Sequence, residues 1–267
     1  MDYLQAILIA IIEGLTEFLP VSSTAHMIFT SSLMGIEKDG FVKMFQVSIQ
    51  FGAILAVVFA YRNTFFNRQN ISLYFKLALA VIPALLSGYL FDDLIESVLE
   101  KPVPIAIVLI VGGVILLFVD RLFKSGKTDQ IQDLNYKQGI AVGFWQCIAL
   151  MPGVSRAAAS IIGGMQQKMT RSLAAEFSFF LAVPTMLAVT AYSVLLKDWQ
   201  SVNGSVKGYQ MIMQDQTHIL LFLIGNVVAF IVALLAIKTF VAALKQYGFK
   251  PFAWYRILLG ILLLFVL

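Results

Sequence analysis

Long apolar blocks with almost no charge are the feature of this sequence that most restricts its fold. Residues 41–61, 73–91 and 173–196 each contain a single charged residue, and each block approaches or exceeds the roughly 20 residues that cross a bilayer as a helix. Hydrophobic residues make up 60% of the 267 residues and charged residues 13%, whereas soluble domains are roughly half apolar and a quarter charged. The sequence therefore predicts an integral membrane protein and excludes a soluble enzyme.

The charge balance indicates how the chain is oriented in the membrane. Lys and Arg number 19 against 15 Asp and Glu, a formal net charge of +4. A basic excess could favour nucleic acid or anionic lipid, but so few polar residues make nucleic-acid binding improbable. Most basic loop residues, including Arg62, Arg121 and Lys245, fall on one side of the predicted membrane topology. By the positive-inside rule that side is cytoplasmic, so we expect both termini outside.

Two of the apolar stretches are broken near their middle. Pro20 divides residues 3–34, and Pro152-Gly153 divides residues 138–165, into short halves with polar residues at the break. Backbone that leaves the helix at membrane depth is tolerated only where it is buried in protein or lines a wet cavity. We therefore predict an all-α membrane protein with about six transmembrane helices and two re-entrant helical hairpins whose breaks face one polar pocket.

The two halves of the chain resemble each other. When Ser22 is aligned with Ser155, three further pairs fall in register: Glu13 with Gln146, Val21 with Val154, and Ser23 with Arg156. We interpret residues 1–267 as one membrane domain built from two repeats, 1–120 and 138–267, each a hairpin followed by three spans. An odd number of spans places the copies in opposite orientations, an arrangement that puts a binding site at the repeat interface near mid-membrane.

Two carboxylates lie just before the first break. Glu13 and Glu17 are four residues apart and share a helix face, where like charges repel unless a cation, an arginine or a shared proton intervenes. Ionisable groups inside apolar segments are costly and usually functional. The pair is a candidate Mg²⁺ or Ca²⁺ site or a general base. The alternative is a pair of carboxylates neutralised by packing contacts.

Three hydroxyl residues, Ser22, Ser23 and Thr24, stand where the second half-helix should begin. Each is a common helix cap. A helix N-terminus buried at membrane depth also offers free N–H groups and a positive dipole end, which favour a phosphate or carboxylate. His26 lies three residues after Ser23 and four after Ser22, so it could act as a base for either hydroxyl. A purely structural histidine is the alternative.

The second break repeats this device with an arginine. In the segment ending Val154-Ser155-Arg156, the guanidinium could hold a phosphate through two hydrogen bonds. The alternative is an ion pair with Glu13 or Glu17. Both interpretations bring the two hairpins together.

These segments carry a family resemblance. The stretch from Glu13 to His26, EGLTEFLPVSSTAH, followed half a chain later by PGVSR ending at Arg156, resembles the undecaprenyl-diphosphate phosphatase family, also known as bacitracin resistance protein A. The resemblance covers nearly the whole chain, and the two signatures are specific when found together. It implies an inner-membrane hydrolase that removes the terminal phosphate of undecaprenyl pyrophosphate at the outer face. That reaction recycles the lipid carrier for peptidoglycan synthesis and gives bacitracin resistance.

The resemblance also implies which residues form the site. The family's acidic, serine-histidine and arginine motifs correspond to Glu13 and Glu17; to Ser22, Ser23, Thr24 and His26; and to Ser155 and Arg156. Two departures are visible: Ala25 replaces the glycine before the histidine, and alanines at 157–159 follow the arginine where the family has Ser-Gly-Ala. Ser160 keeps a hydroxyl at the family's threonine position, so we expect it to contact phosphate.

The mechanistic hypothesis assigns roles to these residues. Arg156 and the Ser22 to Thr24 amides hold the phosphates, and a divalent cation at Glu13 or Glu17 neutralises further charge. Ser23 attacks the terminal phosphorus while His26 or Glu17 takes its proton; His26 or an activated water as nucleophile stays open.

A lipid-phosphate transporter or flippase is the alternative function, because inverted repeats with broken helices are a transporter design. The expected partners are a polyprenyl pyrophosphate and membrane lipid, and the sequence is compatible with a homodimer.

Overall fold

The protein is almost entirely helical. The computed structural model describes residues 1–67, 70–99, 101–123, 126–201 and 204–266. Its α-helices are α1 (Tyr3–Thr16), α2 (Ser23–Leu33), α3 (Gly40–Ser48), α4 (Gln50–Ala60), α5 (Arg62–Phe65), α6 (Ile71–Leu90), α7 (Asp92–Leu99), α8 (Pro102–Leu122), α9 (Tyr136–Cys147), α10 (Arg156–Gln166), α11 (Arg171–Ala191), α12 (Gly208–Ile212), α13 (Gln216–Tyr247) and α14 (Lys250–Val266). One antiparallel hairpin, β1 (Asp198–Ser201) with β2 (Gly204–Lys207), pairs Asp198 with Lys207. The sequence analysis did not anticipate this hairpin.

The prediction of an all-α membrane protein is confirmed. Within the described ranges, five helical segments are long and apolar enough to cross a membrane: Gly40–Ala60, Ile71–Leu90, Pro102–Leu122, Arg171–Leu196 and Gln216–Tyr247. The sixth predicted span, residues 252–267, corresponds to α14, which has 17 residues. Leu267, the last residue of the predicted second repeat, lies outside the described residues.

The two breaks share an unusual local geometry. Ser22 caps α2 with φ 72° and ψ 90°, and its Oγ accepts a hydrogen bond from the Ala25 N–H at 3.4 Å. Ser155 caps α10 with φ 73° and ψ 115°, and its Oγ accepts from the Ala158 N–H at 3.2 Å. Positive φ is strained for a residue other than glycine and concentrates at functional sites. The two serines that the sequence alignment pairs therefore adopt the same strained capping conformation.

Close helix packing places both breaks in the interior. Helix α1 packs against α13, and α9 packs against α6. A Cβ added at Gly14 would lie 2.7 Å from the Ala229 carbonyl of α13, and one at Gly143 would lie 2.1 Å from the Ala80 carbonyl of α6. Because neither contact leaves room for a side chain, glycine sets these two helix spacings. The first half of each broken pair is thus held against a long helix from the other half of the chain.

Candidate active site

The two breaks line one polar cavity of about 100 Å³. Its wall includes Glu17, Ser22, Ser23 and Thr24 from the first break, and Pro152, Gly153, Ser155 and Arg156 from the second. The structure therefore brings most of the site residues predicted from the sequence to the wall of this one cavity. Glu13, His26 and Ser160 are the predicted site residues that are not among its described lining residues. Helices α2 and α10 both begin at this cavity, so two helix N-termini with their free N–H groups meet there.

A buried ion pair joins the two halves of the site. Arg156 donates from Nη2 and Nε to Oε1 of Glu17, at 3.0 and 3.3 Å. The other carboxylate oxygen, Oε2, accepts a hydrogen bond of 2.5 Å from the Ser23 hydroxyl. The hydroxyl proton is thus already directed at a carboxylate, which is the arrangement of an activated nucleophile and its base. The ion pair that the sequence offered as the alternative for Arg156 is present, and Arg156 lines the cavity as well.

Arg156 also forms hydrogen bonds with Ser178 of α11. Its Nη1 donates to the Ser178 carbonyl at 2.9 Å, and the Ser178 hydroxyl lies 2.7 Å from the Ser160 hydroxyl. Ser160 additionally donates to the Arg156 carbonyl at 2.7 Å. Ser160 is fully buried and is not among the described residues that line the cavity. The structure therefore places Ser160, a predicted phosphate ligand, outside the cavity wall and in contact with the backbone of Arg156.

His26 is turned away from the serine hydroxyls. Its Nδ1 lies 2.7 Å from the Ser22 backbone carbonyl, and its Nε2 lies 2.7 Å from the Tyr255 hydroxyl. A carbonyl only accepts, so Nδ1 carries the proton and Nε2 accepts from the tyrosine. The two rings are nearly parallel, with centroids 5.6 Å apart. Of the two bases that the sequence offered for Ser23, the structure brings Glu17 to its hydroxyl.

Sequence reasoning did not single out Tyr255. It is 229 residues from His26 along the chain and stands in the apolar helix α14, where an aromatic residue is unremarkable. The signal that includes this region is the family resemblance, which covers nearly the whole chain.

Glu13 is a buried carboxylate whose oxygens lack hydrogen-bond donors in the described part of the chain. It is fully buried, and neither of its carboxylate oxygens has a hydrogen-bond partner among the described residues. A carboxylate in that position needs a proton or a cation. No cluster of three or more His, Cys, Asp or Glu occurs in the described part of the chain. Mg²⁺, however, is commonly bound by one or two carboxylates together with substrate phosphates. Glu13 and Glu17 therefore have the oxygen donors that a divalent cation or a shared proton requires, and Glu17 but not Glu13 is among the described residues of the cavity wall.

A larger cavity of about 700 Å³ adjoins the polar one. The two cavities share Thr24 and Gln50 in their walls. The larger cavity is lined by three lysines, Lys38, Lys43 and Lys197, by two acidic residues, Glu37 and Asp92, and by apolar residues. Lys197 forms an ion pair with Asp92 at 3.6 Å. The polar site thus opens onto a spacious cavity with both charged and apolar walls.

Comparisons with known proteins agree with these observations. The profile of the family described as bacitracin resistance protein BacA matches residues 6–262. A protein of Flavobacterium johnsoniae named undecaprenyl-diphosphatase is 52% identical over 267 residues, covering 100% of this chain and 96% of the relative. Proteins with the same name from Porphyromonas gingivalis and Bdellovibrio bacteriovorus are 46% and 44% identical. They cover 99% and 100% of this chain, and 96% and 97% of their own lengths.

Proposed function

The chain belongs to the bacitracin resistance protein BacA family, and we propose from this premise that it hydrolyses undecaprenyl pyrophosphate to undecaprenyl phosphate and inorganic phosphate. Full-length relatives carry the name undecaprenyl-diphosphatase. One observation supports the assignment above the others: the Ser23 hydroxyl donates to Glu17, which is paired with Arg156 at the wall of a polar cavity. The protein is a multi-pass membrane hydrolase of the lipid carrier cycle, and its family name implies bacitracin resistance.

Charge complementarity supports phosphate binding in this cavity. Arg156 supplies a guanidinium, and the starts of α2 and α10 supply N–H groups and the positive ends of two helix dipoles. Ser22, Ser23, Thr24 and Ser155 line the same cavity. Preorganised donors of this kind stabilise the charge that develops on a transferring phosphoryl group.

The geometry supports a two-step transfer. Ser23 Oγ attacks the terminal phosphorus while Glu17 Oε2 takes the hydroxyl proton. The bridging P–O bond breaks, and undecaprenyl phosphate leaves with the proton from Glu17. Water then attacks the phosphoserine and gives a proton to Glu17, the bond between phosphorus and Ser23 Oγ breaks, and Glu17 returns that proton to Ser23 Oγ as inorganic phosphate is released. In this scheme His26 fixes the start of α2 through the Ser22 carbonyl; His26 or a directly activated water is the alternative nucleophile.

The orphaned carboxylate supports a role for a divalent cation. Glu13 and Glu17 are the residues that would hold Mg²⁺ or Ca²⁺. When bound, the ion supplies positive charge that neutralises phosphate oxygens. Ser160, through Ser178, keeps Arg156 aimed at the cavity.

We further propose that the chain forms two re-entrant hairpins and about six spans in inverted repeats, residues 1–120 and 138–267. The matching conformations of Ser22 and Ser155 and the corresponding α1–α13 and α9–α6 packing support this arrangement. The basic loops favour a bacterial cytoplasmic membrane location with both termini outside and the active site toward the outer face.

A lipid-phosphate flippase is not favoured. A transporter needs no nucleophile, whereas the Ser23 hydroxyl is bonded to a buried base. The test is release of inorganic phosphate from undecaprenyl pyrophosphate by detergent-purified protein, with Mg²⁺, Ca²⁺ or a chelator, beside Arg156→Ala. We expect metal-dependent release that Arg156→Ala lacks. If folded protein releases no phosphate with any of these metals and at any pH tested, the hydrolase assignment is overturned and the flippase becomes the favoured function.

A further inference from the structure

A second buried arginine lies between the two breaks. Arg256 of α14 has no exposed surface. Its guanidinium donates to four backbone carbonyls: Pro20 at 3.1 Å, Val154 at 2.9 Å, Gly153 at 2.8 Å and Leu109 at 3.4 Å. Pro20 belongs to the first break, and Gly153 and Val154 belong to the second. One side chain thus bonds both interruptions at once.

Among the residues that the structure describes, no carboxylate forms an ion pair with Arg256. An isolated buried charge is costly and is normally paired with an opposite charge. In the described part of the chain, carbonyl dipoles bond this positive charge. The carbonyls of Pro20, Gly153 and Val154 thus share one guanidinium as their donor.

The opposing helix is built to admit the guanidinium. A Cβ added at Gly112 of α8 would lie 2.2 Å from Arg256 Nη2, and one at Gly113 would lie 2.8 Å from the Ala253 carbonyl. Both positions are too close for a side chain. The Gly112-Gly113 pair lets α8 and α14 approach and leaves the space through which Arg256 reaches the breaks.

We propose that Arg256 is a positioning residue that locks the two breaks in register and orients backbone donors toward the substrate phosphates. In a trans peptide the C=O and the following N–H point in opposite directions. Because the Val154 carbonyl is directed at Arg256, the Ser155 N–H points away from it, and Ser155 lines the polar cavity. Among the described hydrogen bonds and ion pairs, none joins Arg256 to Ser23 or Glu17, so Arg256 acts through the backbone. The proposal rests on the hydrolase function proposed above.

Two substitutions test the proposal from opposite sides. Arg256→Lys keeps the charge but cannot bond four carbonyls with one ammonium group. Gly112→Ala keeps the arginine and displaces its guanidinium. Gly88→Ala is the matched control, since its Cβ would make an ordinary contact of 3.6 Å with Leu150. Each protein is purified in detergent, its monodisperse fraction and melting temperature are measured, and kcat and KM for phosphate release are determined.

We expect kcat to fall on the order of 100-fold in Arg256→Lys and at least about tenfold in Gly112→Ala, the scale expected when reacting groups are misplaced by about 1 Å. The reduced kcat should also be measured when only the monodisperse, folded fraction of each variant is assayed. Gly88→Ala should match wild type. Wild-type kcat in folded Arg256→Lys, or a reduced yield of protein with normal kcat in both variants, would overturn the positioning role. A wild-type protein that releases no phosphate would instead refute the proposed function.

Discussion

Replacing Glu17 with glutamine tests the proposed base with little change in shape. Glu17 accepts from the Ser23 hydroxyl at 2.5 Å through one oxygen and from Arg156 through the other. Glutamine keeps one carbonyl oxygen for Arg156 and presents an NH₂ group toward Ser23. The hydroxyl then faces a donor, and its proton has no acceptor in the pair. Glu17→Gln should therefore remove the base and preserve the cavity.

The size of the effect follows from these contacts. Positioned general acid–base catalysis contributes about 10²–10⁴-fold, so kcat should fall by that range, or about 3–5 kcal/mol in activation free energy. KM should rise modestly, because Glu17 is also one of the two residues proposed to hold the cation, whereas Arg156 and the two helix N-termini remain. Unfolding free energy should fall by less than the roughly 3–5 kcal/mol typical of a broken buried ion pair, because Arg156 keeps its bond to the Ser178 carbonyl.

The assay is steady-state phosphate release by detergent-purified protein, with melting temperature recorded for each variant. Glu176→Gln is the matched control, since Glu176 is a carboxylate on α11 outside the cavity wall. We expect wild-type kcat from this control. Folded Glu17→Gln with kcat within a factor of about three of wild type would refute Glu17 as the proton acceptor, since that factor is far below the contribution of a general base.

Three further predictions address neighbouring contacts. Ser23→Ala should lower kcat by more than about 10³-fold; phosphate release at the wild-type rate, with Arg156→Ala inactive, would exclude the serine as nucleophile. Tyr255→Phe removes the hydroxyl bonded to His26 and should cost about 1 kcal/mol of stability in a melting experiment, with kcat reduced less than about tenfold. A greater loss of kcat would assign His26 a chemical role. A chelator should abolish phosphate release and Mg²⁺ or Ca²⁺ should restore it, whereas Glu13→Gln should weaken this metal activation; activity unaffected by chelation would contradict the cation site.

Local sequence patterns were sufficient to predict a helical membrane protein and to locate the two helix interruptions. Apolar block length predicts the membrane helices, because bilayer thickness fixes the length of a span. The prolines and polar residues at 20–24 and 152–156 predict the interruptions, and an unpaired arginine in an apolar chain requires an anion. The Glu17–Arg156 pair was accordingly among the alternatives that the sequence offered.

Partners that depend on long-range packing could not be predicted in this way. The orientation of His26 depends on Tyr255, which α14 brings to α2 from the far end of the chain. Ser160 contacts Ser178 because α10 packs on α11, and its position in the motif gives no indication of that contact. The described hydrogen bonds of Arg256 go to backbone carbonyls, and such bonds leave no complementary side chain in the sequence to indicate them.

Trapping the phosphorylated protein tests the central claim most directly. Undecaprenyl pyrophosphate labelled in its terminal phosphate is mixed with wild-type protein and quenched within one turnover, and the peptide containing Ser23 is analysed for label. The account predicts label on Ser23 in wild type and its loss, together with activity, in Ser23→Ala. Rapid turnover by wild type without label on the protein, combined with an active Ser23→Ala, would contradict it and assign the attack to water.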